Sequence, residues 1–500
     1  MNNRDKDIFE IYRPFRNKLA KFNVLDSLYL IWGYSRNYTF DQEFPRDIER
    51  PFGFNPFEED LFARKYKGVF DHELEFLQKE IILNCDIAQT KYTLRHQLHF
   101  SKLMNYLRST LNEDIDKLYT AQDNFLLEFN RIAHRQFKWQ LGYGRESIFR
   151  YYQIYSDKAL SEIIQKRFQL TPQQLFLIGF LLFSWTGTNF RTALPFKSTA
   201  KAITNEMISI FINHFSMTID EARWQLKENQ QINENLFYSY NPLLAKPLLI
   251  EKSDFMCPIP IFMFWQITSG IYYSIVNEKN FSEAFGNSFQ NFIGEVLKKS
   301  CTSANIQIYP EEIFGKEEHR TTDWIIADNN SILFIECKTK RMRLDSKSIL
   351  GVTQGLEKDL KKMAEFITQV YKTYIDYKNN LYPTLKFDSN KEFYPLVLTL
   401  EDWYINFNHV ILDMLKSFVI ELFNIINLDI MLLESFPYHI RCASEFERDI
   451  QLINSIGIKG YFTKVANNTI QEDIKEFEFK NIYEGEYEKV FVEPFIGGDN

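Results

Sequence analysis

Residues 321–338 read TTDWIIADNNSILFIECK, and this stretch limits the fold more than any other part of the chain. Two runs rich in β-branched and other apolar side chains, Thr322–Ala327 and Ile332–Cys337, flank Asp328-Asn329-Asn330. Asx residues between two such runs predict a tight β-hairpin. Side chains two apart on a strand leave the same face, so Glu336 and Lys338 project together from the second arm. Asp323 lies in the first arm, beside them once the hairpin closes. Cys337 turns its side chain the other way and offers its backbone carbonyl. An Asp, a Glu, a carbonyl and an ammonium therefore converge at one end of the hairpin. Such a set suits Mg²⁺ or Mn²⁺; Mg²⁺ takes one or two carboxylates and fills its other positions with water and phosphate oxygens.

Asp323, twelve intervening residues and then Glu336-Cys337-Lys338 resemble the PD-(D/E)xK signature of restriction-endonuclease-like nucleases. Thr322 stands where the signature's name has Pro. An apolar arm runs into the ExK triplet, a helical pattern precedes the hairpin and a long one follows it, as the signature requires of its context. The resemblance implies a metal-dependent phosphodiesterase. Asp323, Glu336 and Lys338 would be catalytic, and Asp323, Glu336 and Cys337 would hold the metal. Many members add an acid from the first helix. Here that position is Gln290, in Phe289-Gln290, while Glu295 lies further along and rotated away from the apolar stripe. Gln354 matches the Gln that members often carry on the long helix. Glu311 and Glu312, after the first short strand, are further candidates on a loop, against the ordinary reading of such a pair as solvated.

The organisation fits. Phe285, Phe289, Phe292, Ile293, Val296 and Leu297 form one apolar stripe at helical spacing. A short strand at Ile306–Tyr309 follows, then the hairpin, an amphipathic helix over Ser346–Tyr377 and an apolar strand over Phe393–Leu400. Helix, three strands, helix and strand is the order the resemblance implies, over about residues 281–400, with residues 401–500 as an extension. Within that extension, Tyr404–Asn427 and Ala443–Ile456 read as helices and Tyr438–Cys442 as an added strand. Residues 1–280 read as a mostly helical sensor or recognition domain, with helices expected over Asn84–Leu111, Glu113–Gln136, Ser156–Phe168 and Ala200–Phe215. A Pro-punctuated stretch, Tyr240–Ile261, turns the chain before Phe262–Val276, another buried helix. The fold class expected is thus a mostly α N-terminal region plus an α/β restriction-endonuclease-like core with a mixed central sheet.

A formal net charge of −8 gives no global basic field, so a nucleic-acid partner must be met by a local patch. Lys340, Arg341, Arg343 and Lys347 leave the metal-binding strand together, and Lys358, Lys361 and Lys362 follow on the long helix. Cations placed there would track a phosphate backbone without reading bases. The five cysteines have no metal-ligand spacing, and with the charged N-terminus they fit a reducing cytoplasm. The longest apolar run, Leu175–Trp185, has eleven residues, short of the roughly 20 a membrane helix needs. His96 and His99, three apart, lack further ligands and read as a surface pair.

A DNA nuclease is the leading expectation, and by analogy of architecture a restriction or anti-phage defence factor. With one site per chain, cutting both strands of a duplex favours a homodimer. An RNA nuclease of the same fold, including one acting on tRNA, is the second reading. A non-catalytic helical scaffold with a degenerate nuclease domain is the third, and the intact Asp323, Glu336 and Lys338 weigh against it.

Overall fold

In the computed structural model, residues 8–49, 68–88, 90–116, 122–141, 143–198, 202–230, 236–343, 346–347 and 354–496 are described. From residue 281 the principal elements, in chain order, are α1 (Phe281–Ser300), β1 (Gln307–Pro310), β2 (Trp324–Ala327), β3 (Ser331–Lys338), α2 (Gln354–Lys378), β4 (Glu392–Thr399), α3 (His409–Ile425), β5 (His439–Cys442), α4 (Ala443–Ile456) and α5 (Ile458–Ala466). The five strands form one sheet in the order β5-β4-β3-β2-β1. The β1–β2 and β2–β3 pairs are antiparallel, and the β3–β4 and β4–β5 pairs are parallel. Antiparallel neighbours need only short turns, whereas the parallel β3–β4 pair needs the crossover that α2 supplies.

Asp328 closes the hairpin by an Asx turn. Its Oδ1 accepts the N–H groups of Asn330 and Ser331 at 2.9 and 2.7 Å. Its other oxygen accepts the N–H of Ile458 at 2.8 Å, which ties the turn to the start of α5.

Strand alternation sorts the core into two layers. Ile326, Leu333, Ile335, Leu396 and Leu398 pack with α1 and α4. Ile325, Ala327, Ile332, Phe334, Phe393 and Val397 pack with α2 and α3. Glu336 and Lys338 share parity with Ile332 and Phe334, so they open toward α2. On the other face, α1 approaches closely at Gly294, where a Cβ would lie 2.2 Å from Trp324 Cζ2.

The N-terminal region is α-rich, with helices that include Val24–Phe40, Asp71–Asn84, Gln97–Asp116, Gln122–Leu141, Arg145–Tyr155 and Pro172–Thr188. Thr171 caps the last of these through a reciprocal capping box with Gln174. No described helix is long and apolar enough to cross a membrane. Asn84–Leu111 is not one helix. The chain leaves helical geometry at Cys85 because Asp86 is drawn into a β-bridge with Asn23, and helix resumes at Gln97. The Pro-rich stretch holds a hairpin, Leu248–Glu251 with Asp254–Met256, inside a four-stranded sheet with Arg191–Ala193 and Ser216–Thr218. Its strands are three or four residues long, too short for periodicity to register. The expected start of the long helix, residues 348–353, lies outside the described residues.

The apolar core does not break at residue 280. One cluster runs from Tyr12 through the N-terminal helices to α1, one face of the sheet and α4. A buried ion pair spans the same junction: Arg150 meets both oxygens of Glu447 at 2.6 and 2.9 Å.

Candidate active site

Register fixes the arrangement. Trp324 pairs with Ile335 and with Pro310, so one step further Asp323 stands opposite Glu336 on one side and Glu311 on the other. Neighbouring strands lie about 4.8 Å apart. Glu311, Asp323 and Glu336 therefore form a row across the ends of three strands, all on the α2 side of the sheet. Glu311 is the member least visible in the sequence, since nothing local separates it from Glu312. The structure separates them. Glu312 turns away to accept a hydrogen bond from the Thr384 hydroxyl at 2.6 Å, whereas Glu311 is near enough to disfavour charge on both Asp323 and Glu336.

Asp323 Oδ2 accepts the Cys337 N–H at 2.6 Å. Within a strand the N–H and C=O of one residue point to the same side, so the Cys337 carbonyl also faces the Asp323 arm. Lys338 Nζ donates to Glu336 Oε1 at 2.6 Å and lies 5.0 Å from the Phe366 ring centroid. Glu336 is only 2% exposed, and its second oxygen, Oε2, is buried without a hydrogen-bond partner. Burial raises the pKa of Asp323, and Glu311 adds to this while Lys338 opposes it. Burial, then Asp323, raises that of Glu336. For Lys338, burial disfavours the charge, but Glu336 and Asp323 outweigh it and the pKa rises. Carboxylates crowded this way in a low-dielectric corner hold their protons more tightly unless positive charge offsets them.

Other expected site residues fall elsewhere. Gln290 supplies its backbone carbonyl to Trp324 Nε1 at 3.0 Å and so holds α1 to the sheet. Glu295 is exposed and pairs with Lys298 at 2.8 Å on the same helix. Gln354 begins α2, about 22 Å along the axis from Gln369 at 1.5 Å per residue. It is Gln369 that reaches Lys338 Nζ, at 3.4 Å, and only the packing of α2 on the sheet reveals it.

The basic run is tied back onto the protein at Lys340 and Arg341, while the Arg343 side chain stays exposed. Arg341 is buried. It donates to Ser269 O at 2.9 Å, meets Glu401 at 3.0 Å and stacks on Tyr272, so the expectation that it contacts nucleic acid is corrected. Burial works against its charge, and Glu401 more than compensates. Lys340 bonds Asp359 at 2.9 Å, and Arg343 reaches the same buried carboxylate through its backbone N–H at 2.7 Å and its side chain at 3.6 Å. Lys347 turns inward, and burial lowers its pKa. Asp359 draws the run back onto α2, a long-range effect invisible in the local charge pattern.

His96 and His99 are engaged separately, by Glu49 at 2.9 Å and by Thr93 O at 2.8 Å. Among the described residues, one group of three potential ligands has its donor atoms within 4.8 Å of one another: Asp402, Cys442 and Glu445. Each already serves a local turn or cap. Asp402 accepts Tyr404 N–H at 2.7 Å, Glu445 accepts Cys442 N–H at 3.0 Å, and Cys442 contacts Ser444 at 3.1 Å. Comparison with protein-family models, curated proteins and solved structures finds no match to the chain.

Proposed function

We propose that the chain is a metal-dependent phosphodiesterase acting on nucleic acid, with DNA ahead of RNA, and that residues 281–400 carry a PD-(D/E)xK arrangement. The observation that carries this reading is the Glu336 carboxylate, enclosed beside Asp323 with Oε2 unpartnered. Hydrophobic burial alone would not favour an acid there, and Lys338 engages only one of its oxygens.

A divalent cation fits the donor set. Carboxylate oxygens from Asp323 and Glu336 and the Cys337 carbonyl are the hard ligands that Mg²⁺ or Mn²⁺ takes, with Glu311 at hand on the same row. When bound, such an ion supplies Lewis acidity at a phosphoryl oxygen and lowers the pKa of water. The protein's own groups do the positioning. The Cys337 N–H fixes the Asp323 carboxylate. Lys338 keeps its proton near neutrality, so it donates hydrogen bonds to a phosphate oxygen and orients the attacking water. Gln369 steadies the ammonium from α2.

The test is cleavage of duplex DNA, single-stranded DNA and tRNA panels by purified protein with Mg²⁺ or Mn²⁺. Wild type is expected to cut, and Lys338→Ala to lose turnover while still folding. Wild-type turnover in Lys338→Ala, or no cleavage of any panel, overturns the assignment.

A further inference from the structure

Between β1 and β2 the chain makes a small two-stranded ribbon, Ile313–Phe314 with His319–Arg320. Ile313 pairs with Arg320 and Phe314 with His319, so the two pairs face opposite sides of the ribbon. The inner side is anchored. Phe314 is buried and meets the Tyr382 ring at 5.3 Å, and the Tyr382 hydroxyl donates to Thr373 O of α2 at 2.6 Å. The base of the ribbon is fixed as well. Glu312 donates its N–H to the Thr321 hydroxyl at 2.9 Å, and its carbonyl accepts the Thr321 N–H at 3.0 Å. The outer pair, Ile313 and Arg320, stays exposed.

That mount brings a second cation to the carboxylate row. Arg320 Nη1 donates to Glu311 Oε2 at 3.2 Å, while the side chain as a whole is 64% exposed. A guanidinium carries five N–H donors in a planar fork, and among the described residues Glu311 is the one side chain it meets. The row therefore has a cation at each end, Lys338 on Glu336 at 2.6 Å and Arg320 on Glu311. Glu311 and Glu336 stand two strand spacings apart, ~10 Å from backbone to backbone, so both cations border one small corner. Burial disfavours charge on Asp323 between them, while Lys338 and Arg320 favour it. Three carboxylates against two cations leave the corner negative, and a phosphodiester is drawn in only where positive charge faces it.

We propose that Arg320 is a further catalytic residue of this site, its guanidinium donating to an oxygen of the scissile phosphate from the side opposite Lys338. The inference rests on the nuclease reading of the carboxylate row. Charge that builds on the phosphoryl oxygens in the transition state then meets a donor already in place. A guanidinium suits the position better than a second ammonium. Two of its N–H groups can grip two phosphate oxygens at once while another stays on Glu311. The competing role is an exposed ion pair that only steadies Glu311, and kinetics separate the two.

The experiment is steady-state cleavage with Mg²⁺ by the full chain, on whichever of duplex DNA, single-stranded DNA and tRNA wild type cuts. Arg320→Gln should lower kcat about 100-fold with KM changed less than about threefold, as loss of a transition-state donor does. Arg320→Lys should fall between it and wild type, because the charge is kept and the fork is lost. Arg320→Gln/Glu311→Gln should be slower than Arg320→Gln by a further factor of about ten, the loss expected of Glu311→Gln alone, as for independent contacts. Thermal melts of Arg320→Gln should match wild type, since an exposed ion pair contributes little to stability. Wild-type turnover in Arg320→Gln, or a loss confined to KM, overturns the catalytic role. A double variant no slower than Arg320→Gln shows Arg320 acting through Glu311 alone and overturns it too. No cleavage of any substrate by wild type overturns the nuclease reading itself, and this inference with it.

Discussion

Two buried glutamates in the same half of the molecule have opposite surroundings. Glu447 is 5% exposed and Glu336 is 2% exposed. Glu447 offers both oxygens to the Arg150 guanidinium in a bidentate pair that joins α4 to the helix Arg145–Tyr155. Glu336 gives one oxygen to Lys338 and keeps the other without a partner. Burial disfavours the charge of Arg150, but Glu447 overcomes this and its pKa rises. At Glu336 the balance goes the other way, since burial and Asp323 outweigh Lys338. A buried charge with complete partners belongs to the folded framework. One left short is stable as an anion only when positive charge arrives from outside, which is why the proposed function rests on it.

The contrast can be broken most forcefully at Arg150. Arg150→Met leaves Glu447 buried without its cation and should cost about 3–5 kcal/mol in denaturant unfolding. Arg150→Met/Glu447→Leu should recover most of that, because the orphaned charge goes with its partner. A single variant no worse than loss of a surface pair would mean the junction is held by the shared apolar core alone.

Glu336→Gln should behave in the opposite sense. The folded-state pKa of Glu336 is raised, so the native protein binds more protons than the unfolded chain between the ordinary glutamate value and the raised one. Metal-free stability is therefore fullest below that window and falls as pH rises through it. Gln carries no such penalty. Thermal melts in EDTA across pH 5–9 should show Glu336→Gln matching wild type at the acid end and exceeding it at the alkaline end. Mg²⁺ should stabilise wild type more as pH rises and should not stabilise the variant. Its turnover should fall about 1,000-fold, or roughly 4 kcal/mol of transition-state stabilisation. A variant less stable than wild type at every pH would show that Lys338 satisfies Glu336 after all.

Glu311→Gln tests the edge of the same row with a smaller effect. Glu311 is tethered to Arg320 at 3.2 Å, so it stands further from the shared corner than Asp323 does. About tenfold lower turnover and weaker activation by Mg²⁺ are expected in a metal titration, with folding unchanged. Wild-type metal dependence would confine the ligand set to the hairpin.

What could be read from the sequence follows from the range of the forces involved. The hairpin was legible because its turn and both strands are decided by near neighbours, and the two-residue spacing of Glu336 and Lys338 fixes their common face. The placement of α1 and of the described part of α2 followed from periodicity, and that of β4 from a continuous apolar run. Gln369 was not legible, because no local feature distinguishes it from Gln354 and only packing of α2 on β3 selects it. Glu311 required the β1–β2 register. Arg341 misled for the same reason: a charge cluster reads as solvated until Glu401 and Ser269, distant in sequence, are brought against it. The short strands around residue 250 fell below any periodic signal, and the continuity of the core past residue 280 depends on contacts between regions that look separate along the chain.

The smallest effect concerns where a polynucleotide would lie. Lys358 and Lys362 are exposed on the same face of α2 as Gln369, with Lys372 at its shoulder, so this helix presents cations in line with the catalytic corner. Lys340 and Arg343 are instead held against Asp359. Each phosphate contact contributes about 0.9 to the slope of log affinity against log salt for duplex DNA. Lys358→Gln/Lys372→Gln should therefore reduce that slope by nearly two units if both touch phosphate, and equally for all sequences, because backbone contacts read no base. Lys340→Gln/Arg343→Gln should change it by well under one unit, since a cation already neutralised by a buried carboxylate releases few counterions. Lys362, paired with Glu365 at 2.5 Å, should fall between the two pairs. Arg341→Gln should lower the melting temperature without a proportionate change in slope. Equal slopes for the two double variants would show that Asp359 gives up its partners when nucleic acid binds, and would put the segment after β3 back on the substrate path.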